Sequence, residues 1–196
     1  ACFSKDRLLI FTDQGRVYGL RAWETPKASR HARGSHVRNL LKGFRQDENV
    51  VSILPVSREL ISEPEGHFLM FATERGKVKK TALEHYVRIF RNGKYAIKLV
   101  EGDSLVSVRQ QQEGDEVVLI SKRGMACRFY ATEARALGRV SQGVTGMRFK
   151  HEEDCVVGMI VTDNSETHIL TISSRAMGKR TRMGTAEKIP DLDASG

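Results

Sequence analysis

Short apolar runs that end in a turn signal recur four times along the chain. The runs LLIFTDQGRVYGLR, FLMFATERGKVKKT, VVLISKRGMACRFY and ILTISSRAMGKRTR align on Gly15, Gly76, Gly124 and Ala176. Each run has a Ser or Thr three residues before the aligned position and a basic segment after it. This pattern is typical of a β-hairpin in which glycine supplies a positive φ. Alanine adopts that conformation only at a cost, so we expect the fourth hairpin to turn at Gly178 instead.

Two further columns follow the hairpins. A glycine recurs 17 to 19 residues after the aligned position in three copies, and an acidic residue then precedes an apolar strand. The glycines are Gly34, Gly93 and Gly143, and the acidic residues are Glu48, Asp103 and Asp154. Each repeat of about 50 residues therefore holds four short strands, with weak helical turns only at TALEHYV and ATEARAL. Four strands in about 40 to 50 residues are typical of a propeller blade.

The repeats predict an all-β, propeller-like protein with about fourteen strands in about three and a half four-stranded blades. We expect blades at residues 6–66, 67–115 and 116–166, a partial blade at 167–182 and a non-repeat tail at 183–196. Three and a half blades cannot close a ring of the usual four or more. The chain is therefore expected to be a segment of a longer array or to assemble with another copy or partner. Its first residues, ACFSK, resemble the end of a preceding repeat, which favours the first alternative, a segment of a longer array.

Charge narrows the class of partner. The chain has 32 Lys and Arg against 24 Asp and Glu, a formal net charge of +8. Such a balance favours a polyanion, either nucleic acid or an anionic membrane surface. No apolar run reaches the roughly 18 to 20 residues of a membrane span, and the first residues lack a secretory leader pattern. We therefore expect an intracellular protein, and both kinds of polyanion remain possible at this point.

Catalytic and metal-binding patterns are absent from the sequence. It contains no GxxxxGK[ST], GxGxxG, HExxH or GxSxG motif, and its six histidines never pair at ligand spacing. The three cysteines are widely spaced and form no CxxC, which suits a reducing compartment. Three tyrosines, Tyr18, Tyr95 and Tyr130, fall in strands, and Tyr86 lies in a connection, so packing explains them better than nucleophilic attack. We expect a non-catalytic chain with no cofactor and no metal.

Positive charge recurs in the same register of successive repeats. In the last three copies, basic residues stand three or four positions after the hairpin turn, whereas the first copy has Tyr18 and Gly19 there, with Arg16 and Arg21 nearby. Basic residues also precede the second-column glycine and recur on the strand after it. Scattered Lys and Arg usually form only a solvated face. Recurrence in one register places the charges in a continuous band from blade to blade, which can follow a phosphate backbone. The predicted DNA-binding residues are Arg16, Arg30, Arg33, Lys79, Lys80, Arg88, Arg91, Lys94, Lys98, Arg128, Arg139, Arg148, Lys179 and Arg180.

Several long segments resemble a known family. GRVYGLRAWETPKASRHARGSHVRNLL, GKVKKTALEHYVRIFRNGKYAIKLVEGD and ALGRVSQGVTGMRF, followed by VVGMIV and MGKRT, are similar to consecutive blades of the carboxy-terminal domain of bacterial DNA gyrase A. The resemblance covers residues 1 to about 182. It implies a β-pinwheel whose blades exchange strands and whose basic outer rim wraps duplex DNA. It also implies that the partners are duplex DNA, the rest of the gyrase A protein and gyrase B, and that the protein is cytoplasmic and nucleoid-associated without a membrane partner. The parent would be an ATP-dependent type IIA topoisomerase whose catalytic groups lie elsewhere.

The chain departs from the family pattern at one motif. The box of QRRGGKG type that marks the family's first blade is absent, so the chain resembles blades two to four and the start of a fifth. Two alternatives remain. One is the related C-terminal domain of topoisomerase IV, which steers decatenation. The other is a protein-interaction propeller with a merely solubilising rim, which the low aromatic content of 7% and the single Trp23 disfavour.

Overall fold

The computed structural model describes residues 2–163 and 167–183, which contain thirteen short strands and one short α-helix. The strands are β1 (Arg7–Thr12), β2 (Arg16–Arg21), β3 (Val50–Val56), β4 (Phe68–Thr73), β5 (Lys77–Ala82), β6 (Lys94–Tyr95), β7 (Leu105–Gln111), β8 (Glu116–Ser121), β9 (Ala126–Tyr130), β10 (Val144–Thr145), β11 (Val156–Thr162), β12 (His168–Ile172) and β13 (Gly178–Arg182). The helix α1 spans Arg58–Ser62, and 3₁₀ turns lie at Ala22–Glu24, Val37–Asn39 and Leu83–Tyr86. The all-β prediction is confirmed.

The chain divides into two compact units, residues 1–161 and 162–196. In the second unit, the described residues form the antiparallel hairpin β12–β13. The expected tail at 183–196 lies outside the described residues, apart from Met183 at its start. Within the described ranges, no helix is long and apolar enough to cross a membrane.

The first unit contains three antiparallel sheets, which are termed blades 1, 2 and 3. Blade 1 has the strand order β3-β1-β2-β6, blade 2 has the order β7-β4-β5-β10, and blade 3 has the order β11-β8-β9. In each blade a hairpin forms the centre, and the long strand that ends the repeat pairs with the first strand of that hairpin. The repeat spacing of the sequence therefore corresponds to one hairpin and one outer strand per blade.

The fourth strand of a blade comes from the following repeat. Strand β6 of the second repeat pairs with β2 of blade 1, with Tyr95 opposite Arg16. Strand β10 of the third repeat pairs with β5 of blade 2, with Thr145 opposite Lys77. The strand exchange that the family resemblance implies is thus present twice in the first unit.

The first repeat has three strands, not the four that its columns predict. Strands β6 and β10 directly follow Gly93 and Gly143, whereas Ser35 and His36, which follow Gly34, are exposed and lie in no strand. The reason is the direction of exchange. A donated strand needs an acceptor hairpin in the preceding blade, and the described part of the chain contains no blade before β1.

All four hairpins share one turn. In each copy the aligned residue donates its N–H to the carbonyl of the Ser or Thr three positions earlier, at 3.0 Å. The side-chain oxygen of that Ser or Thr accepts the N–H four positions later, at 3.1 to 3.4 Å. The turn requires a positive φ, which is +70° at Gly15 and +78° at Gly76. Ala176 adopts the same turn with φ 58°, so the expected shift to Gly178 is wrong. The two hydrogen bonds of Ser173 hold the alanine in a conformation that it otherwise avoids.

The acidic column fastens these turns to the outer strands. The Asp154 carboxylate accepts the Ser121 hydroxyl at 2.9 Å and the N–H of Arg123 at 3.1 Å. Asp103 accepts the N–H of Arg75 at 2.9 Å in the same way. Burial opposes ionisation of Asp154, but these hydrogen bonds lower its pKa on balance.

Successive blades share apolar cores. Phe11 of blade 1 and Phe71 of blade 2 meet edge to face with ring centroids 5.7 Å apart, and both contact the buried ring of Tyr86. A second cluster joins blades 2 and 3 and includes Met70 and Leu119. These clusters fix the blades to one another and so fix the surface that the connecting segments cross.

Candidate nucleic-acid interface

Three connecting segments carry lysine and arginine without a single acidic residue. They are residues 25–46, 87–98 and 134–150, termed basic segments 1, 2 and 3, and each runs between the hairpin of a repeat and its outer strand. Together they hold 14 Lys and Arg and no Asp or Glu. The formal charge of each segment is therefore positive only.

Apolar side chains anchor basic segment 1. Leu41 and Phe44 are buried in a cluster with Ile10 and Tyr18, and the rings of Phe44 and Tyr18 lie 5.6 Å apart. The cations next to these anchors in the sequence stay in solvent, because Lys42 and Arg45 are exposed. The anchors therefore hold the segment in place while its charges face outward.

The three segments are in contact with one another. The N–H of Lys42 in segment 1 donates to the carbonyl of Arg91 in segment 2 at 2.9 Å. The N–H of Lys98 in segment 2 donates to the carbonyl of Ser141 in segment 3 at 3.2 Å, and the Arg139 guanidinium donates to the carbonyl of Tyr95. Strand exchange causes these contacts, since β6 carries segment 2 onto blade 1 and β10 carries segment 3 onto blade 2. The segments thus form one continuous surface, termed the basic band.

Most of the predicted residues in the basic band are exposed, and two are partly covered. The exposed ones are Arg30, Arg33, Arg88, Lys94, Lys98 and Arg148. Arg91 is partly exposed and pairs with Glu24 at 2.8 Å, and Arg139 is partly buried. In the second unit, Lys179 and Arg180 lie exposed on β13.

The prediction that Lys79 and Lys80 contact DNA is wrong. The Lys79 side chain has no exposed surface, and its Nζ donates to the carbonyls of Ala96 at 2.6 Å and Arg139 at 2.5 Å. Lys80 donates to the carbonyl of Ala131 at 3.3 Å. The physical reason is that β5 is an inner strand between β4 and β10, and both of its faces are covered. Burial, followed by the charge of Arg139, lowers the pKa of Lys79 to about 7.

Arg16 and Arg128 are also poor candidates for contact with DNA. Arg16 pairs with the buried carboxylate of Glu48 at 2.9 Å and has 13% of its side chain exposed. Arg128 pairs with Glu116 inside blade 3 and has 9% of its side chain exposed. Since each charge already faces a carboxylate within its own blade, neither is available to neutralise a phosphate.

A signal for this burial is present in the repeats. The residues equivalent to Lys79 in the first and third copies are Tyr18 and Cys127, which indicates an inward position. Sequence reasoning also missed exposed cations of the basic band, and the lack of acidic residues across each segment is the signal that identifies them. The missed residues are Lys27, Arg38, Lys42, Arg45, Arg135 and Lys150.

The basic band supplies charge and hydrogen-bond donors rather than reactive groups. Over residues 2–163 and 167–183, no three His, Cys, Asp or Glu side chains group closely enough to hold a metal ion. Guanidinium and ammonium groups on a continuous surface suit an extended polyanion.

Comparison with known proteins gives consistent matches. The family model described as DNA gyrase C-terminal domain, beta-propeller, matches residues 6–57, 67–112 and 115–163. The chain is 43% identical over 182 residues to DNA gyrase A of Deinococcus deserti, covering 91% of this chain and 22% of that protein. It is 42% identical over 176 residues to DNA gyrase A of Escherichia coli K12, covering 90% and 19%. The chain thus spans about a fifth of the length of these curated relatives.

Solved structures share the fold. A crystal structure of the C-terminal domain of DNA topoisomerase IV superposes with a TM-score of 0.79 at 27% identity, covering 92% of this chain and 54% of that one. A structure of the DNA gyrase A C-terminal domain superposes with a TM-score of 0.74 at 24% identity, covering 92% and 56%. The second likeness, at that identity, concerns the fold alone.

Proposed function

The chain belongs to the family of DNA gyrase C-terminal domains, and from this membership we propose that it binds duplex DNA along the basic band and bends it. The observation that carries the proposal is the continuity of the band. Hydrogen bonds from Lys42 to Arg91 and from Lys98 to Ser141 join three segments that hold 14 cations and no carboxylate. A duplex that follows the band meets positive charge from blade 1 to blade 3.

Binding of this kind is independent of base sequence. Lys and Arg neutralise phosphates and release counterions, so affinity falls steeply with salt. Reading bases in the major groove typically requires a helix or a two-stranded ribbon that enters the groove. The basic band contains neither, since its regular elements are the 3₁₀ turn Val37–Asn39 and the two-residue strands β6 and β10. Bending 20 to 30 base pairs by 40 to 90° costs on the order of 1 to 6 kcal/mol, which several phosphate contacts offset.

In the whole enzyme this domain has a geometric role. It bends the duplex next to the cleaved segment, while the remainder of the gyrase A protein and gyrase B supply strand cleavage and ATP hydrolysis for negative supercoiling. The domain itself is non-catalytic in this proposal, and it acts in the cytoplasm at the nucleoid. The family membership and the charge of the basic band support this role.

Paired charge removals test the proposal. Arg30→Ala/Arg33→Ala removes two exposed cations of the basic band, and Arg58→Ala/Arg109→Ala removes two exposed cations outside it. Fluorescence anisotropy with a 40-base-pair duplex at several salt concentrations gives affinity and salt slope. The band pair is expected to lower affinity for all sequences alike and to reduce the magnitude of the slope by nearly one for each phosphate that is no longer neutralised. Equal losses of affinity from both pairs would mean that only net charge matters, and the band would have no special role.

A further inference from the structure

An open cleft of about 650 Å³ lies at the edge of blade 1, where basic segments 1 and 2 meet. Four basic side chains line it, together with one carboxylate and one aromatic ring. They are Arg7, Arg21, Lys42, Arg91, Glu24 and Phe90. The residues come from β1, β2, the 3₁₀ turn Ala22–Glu24 and the two basic segments, so the cleft exists only because segment 2 crosses onto blade 1.

A missing side chain keeps this cleft open. In blade 2, Lys80 lies diagonally across the hairpin from Phe68, with its Nζ 4.4 Å from the ring centroid. In blade 3, the same two positions hold Arg128 and Glu116, which form an ion pair. Long side chains therefore fill this place in both later blades.

In blade 1 the corresponding positions are Gly19 and Arg7. Gly19 donates its N–H to the carbonyl of Phe90 at 3.1 Å, and a Cβ at Gly19 would lie 2.3 Å from the carbonyl oxygen of Ile89. Because of this close approach, no side chain can be added at Gly19 without moving segment 2. The space in front of Arg7 is thus a built feature of blade 1.

The charges that line the cleft are not balanced. Glu24 pairs with Arg91 at 2.8 Å and accepts the N–H of Arg21 at 2.7 Å. Arg7 donates to backbone carbonyls of segment 2, including that of Ile89 at 3.2 Å. Burial, followed by the charge of Arg21, lowers the pKa of Arg7, with Glu24 acting in the opposite direction. Among the residues lining the cleft, Glu24 is the only acid, so the four cations that line the cleft exceed its carboxylates by three.

We propose that this cleft binds a phosphate group. Guanidinium groups present paired donors that match phosphate oxygens, and Lys42 adds a compact positive charge beside them. The cleft volume lies within the range of roughly 300 to 1,000 Å³ that ligand sites occupy. This assignment rests on the proposed function: the bound phosphate belongs to the DNA backbone and is held at the junction of basic segments 1 and 2. The site belongs to blade 1 alone, because Lys80 and Arg128 fill its equivalents.

The first experiment uses pyrophosphate as the probe and the full chain as the protein. Amide chemical shifts in a titration are expected to move at residues 19–24, 42 and 89–92, without any substitution. The variant Arg21→Gln/Lys42→Gln removes two exposed cations of the cleft, and Arg58→Gln/Arg109→Gln is the control of equal charge. The cleft variant is expected to weaken pyrophosphate binding about tenfold, as loss of charge-assisted hydrogen bonds does, and the control to leave it unchanged.

The second experiment titrates the same proteins with duplex DNA. A loss of about tenfold in the cleft variant, beyond that in the control, assigns the site to the DNA backbone. If pyrophosphate binds at the cleft but DNA affinity falls equally in both variants, the ligand is a free phosphate and the assignment to DNA is overturned. If pyrophosphate moves no cleft amide, the phosphate site itself is overturned. If the unaltered chain fails to bind DNA while the cleft amides respond to pyrophosphate, the proposed function fails and the cleft stands.

Discussion

At the scale of single residues, the ammonium group of Lys79 joins three parts of the chain. The Lys79 side chain extends from β5. Its ammonium group donates to the carbonyl of Ala96, just after β6, and to the carbonyl of Arg139 in basic segment 3. The ring of Phe71 lies 4.9 Å from its Nζ. Carbonyl oxygens and an aromatic face thus replace water around a buried cation. Such a site still disfavours the charged form, and burial lowers the pKa of Lys79 to about 7.

This burial predicts a pH dependence of stability. The unfolded lysine has a pKa near 10.4, so the unfolded chain binds more protons than the folded one above about pH 7. The free energy of unfolding therefore rises as the pH increases from about 7 to about 10. This gain in stability is lost again as the pH falls from the pKa of the unfolded chain to the pKa of the folded one. In Lys79→Met this contribution is absent. Urea denaturation of both proteins from pH 6 to pH 10 is expected to show a steeper rise for the unaltered chain, and parallel curves would contradict it.

At the scale of elements, the donated strands lie against the hairpin turns. Gly76 accepts the N–H groups of Gly146 and Met147 at 2.9 and 3.0 Å, and a Cβ at Gly76 would lie 2.3 Å from the Met147 carbonyl oxygen. Gly124 has a similar φ of +84°, but a Cβ there would meet nothing within 4 Å. Substitution at Gly124 therefore measures the loss of stability from the positive φ alone. Substitution at Gly76 measures that loss together with the loss from the clash with the donated segment.

Alanine at these two glycines is expected to have unequal effects. Gly124→Ala places a side chain at positive φ and should lower the free energy of unfolding by about 1 kcal/mol. Gly76→Ala adds a clash with the donated segment and should cost at least about 2 kcal/mol. Urea denaturation of both variants measures the difference. Equal losses of stability would show that the close approach of segment 3 contributes nothing to blade 2.

The hairpins could be predicted from the sequence because the recurring glycine, hydroxyl and acidic residues make hydrogen bonds within a single repeat. The turn at Gly76, for example, uses Thr73 and Lys77, which are only three and one residues away. Burial of Lys79 was not predicted, since it depends on pairing between β5 and β10, which lie more than 60 residues apart. The exposed charges of the basic band were predicted in part, because exposure of a connecting segment follows from its own composition.

At the scale of the first unit, the basic band carries exposed cations in all three of its segments. Contacts at segment 1 and segment 3 lie at its two ends, and segment 2 joins them through the bonds of Lys42 and Lys98. In the proposed function, a single duplex that follows the band engages both ends at once. The electrostatic contributions of the two ends should then add.

Additive losses are therefore expected in the salt dependence of DNA binding. Arg30→Gln/Arg33→Gln at one end and Arg148→Gln/Lys150→Gln at the other should each lower the magnitude of the slope of log K against log salt by nearly two. The fourfold variant should lose about the sum. Arg58→Gln/Arg109→Gln is the control, because it removes two exposed cations outside the basic band, and it should leave the slope nearly unchanged. A fourfold variant no weaker than either pair would mean that one duplex does not span the band.

Strand exchange also sets the order in which a nascent chain can finish its blades. Blade 1 lacks the strand that pairs with β2 until Tyr95 has been synthesised, and blade 2 lacks the strand that pairs with β5 until Thr145 has been added. During translation each hairpin therefore waits with an open edge, which is a template for wrong pairing. Each blade is completed only after the following repeat has been synthesised. A pause in translation between two repeats therefore leaves the last blade with an exposed, unpaired strand edge.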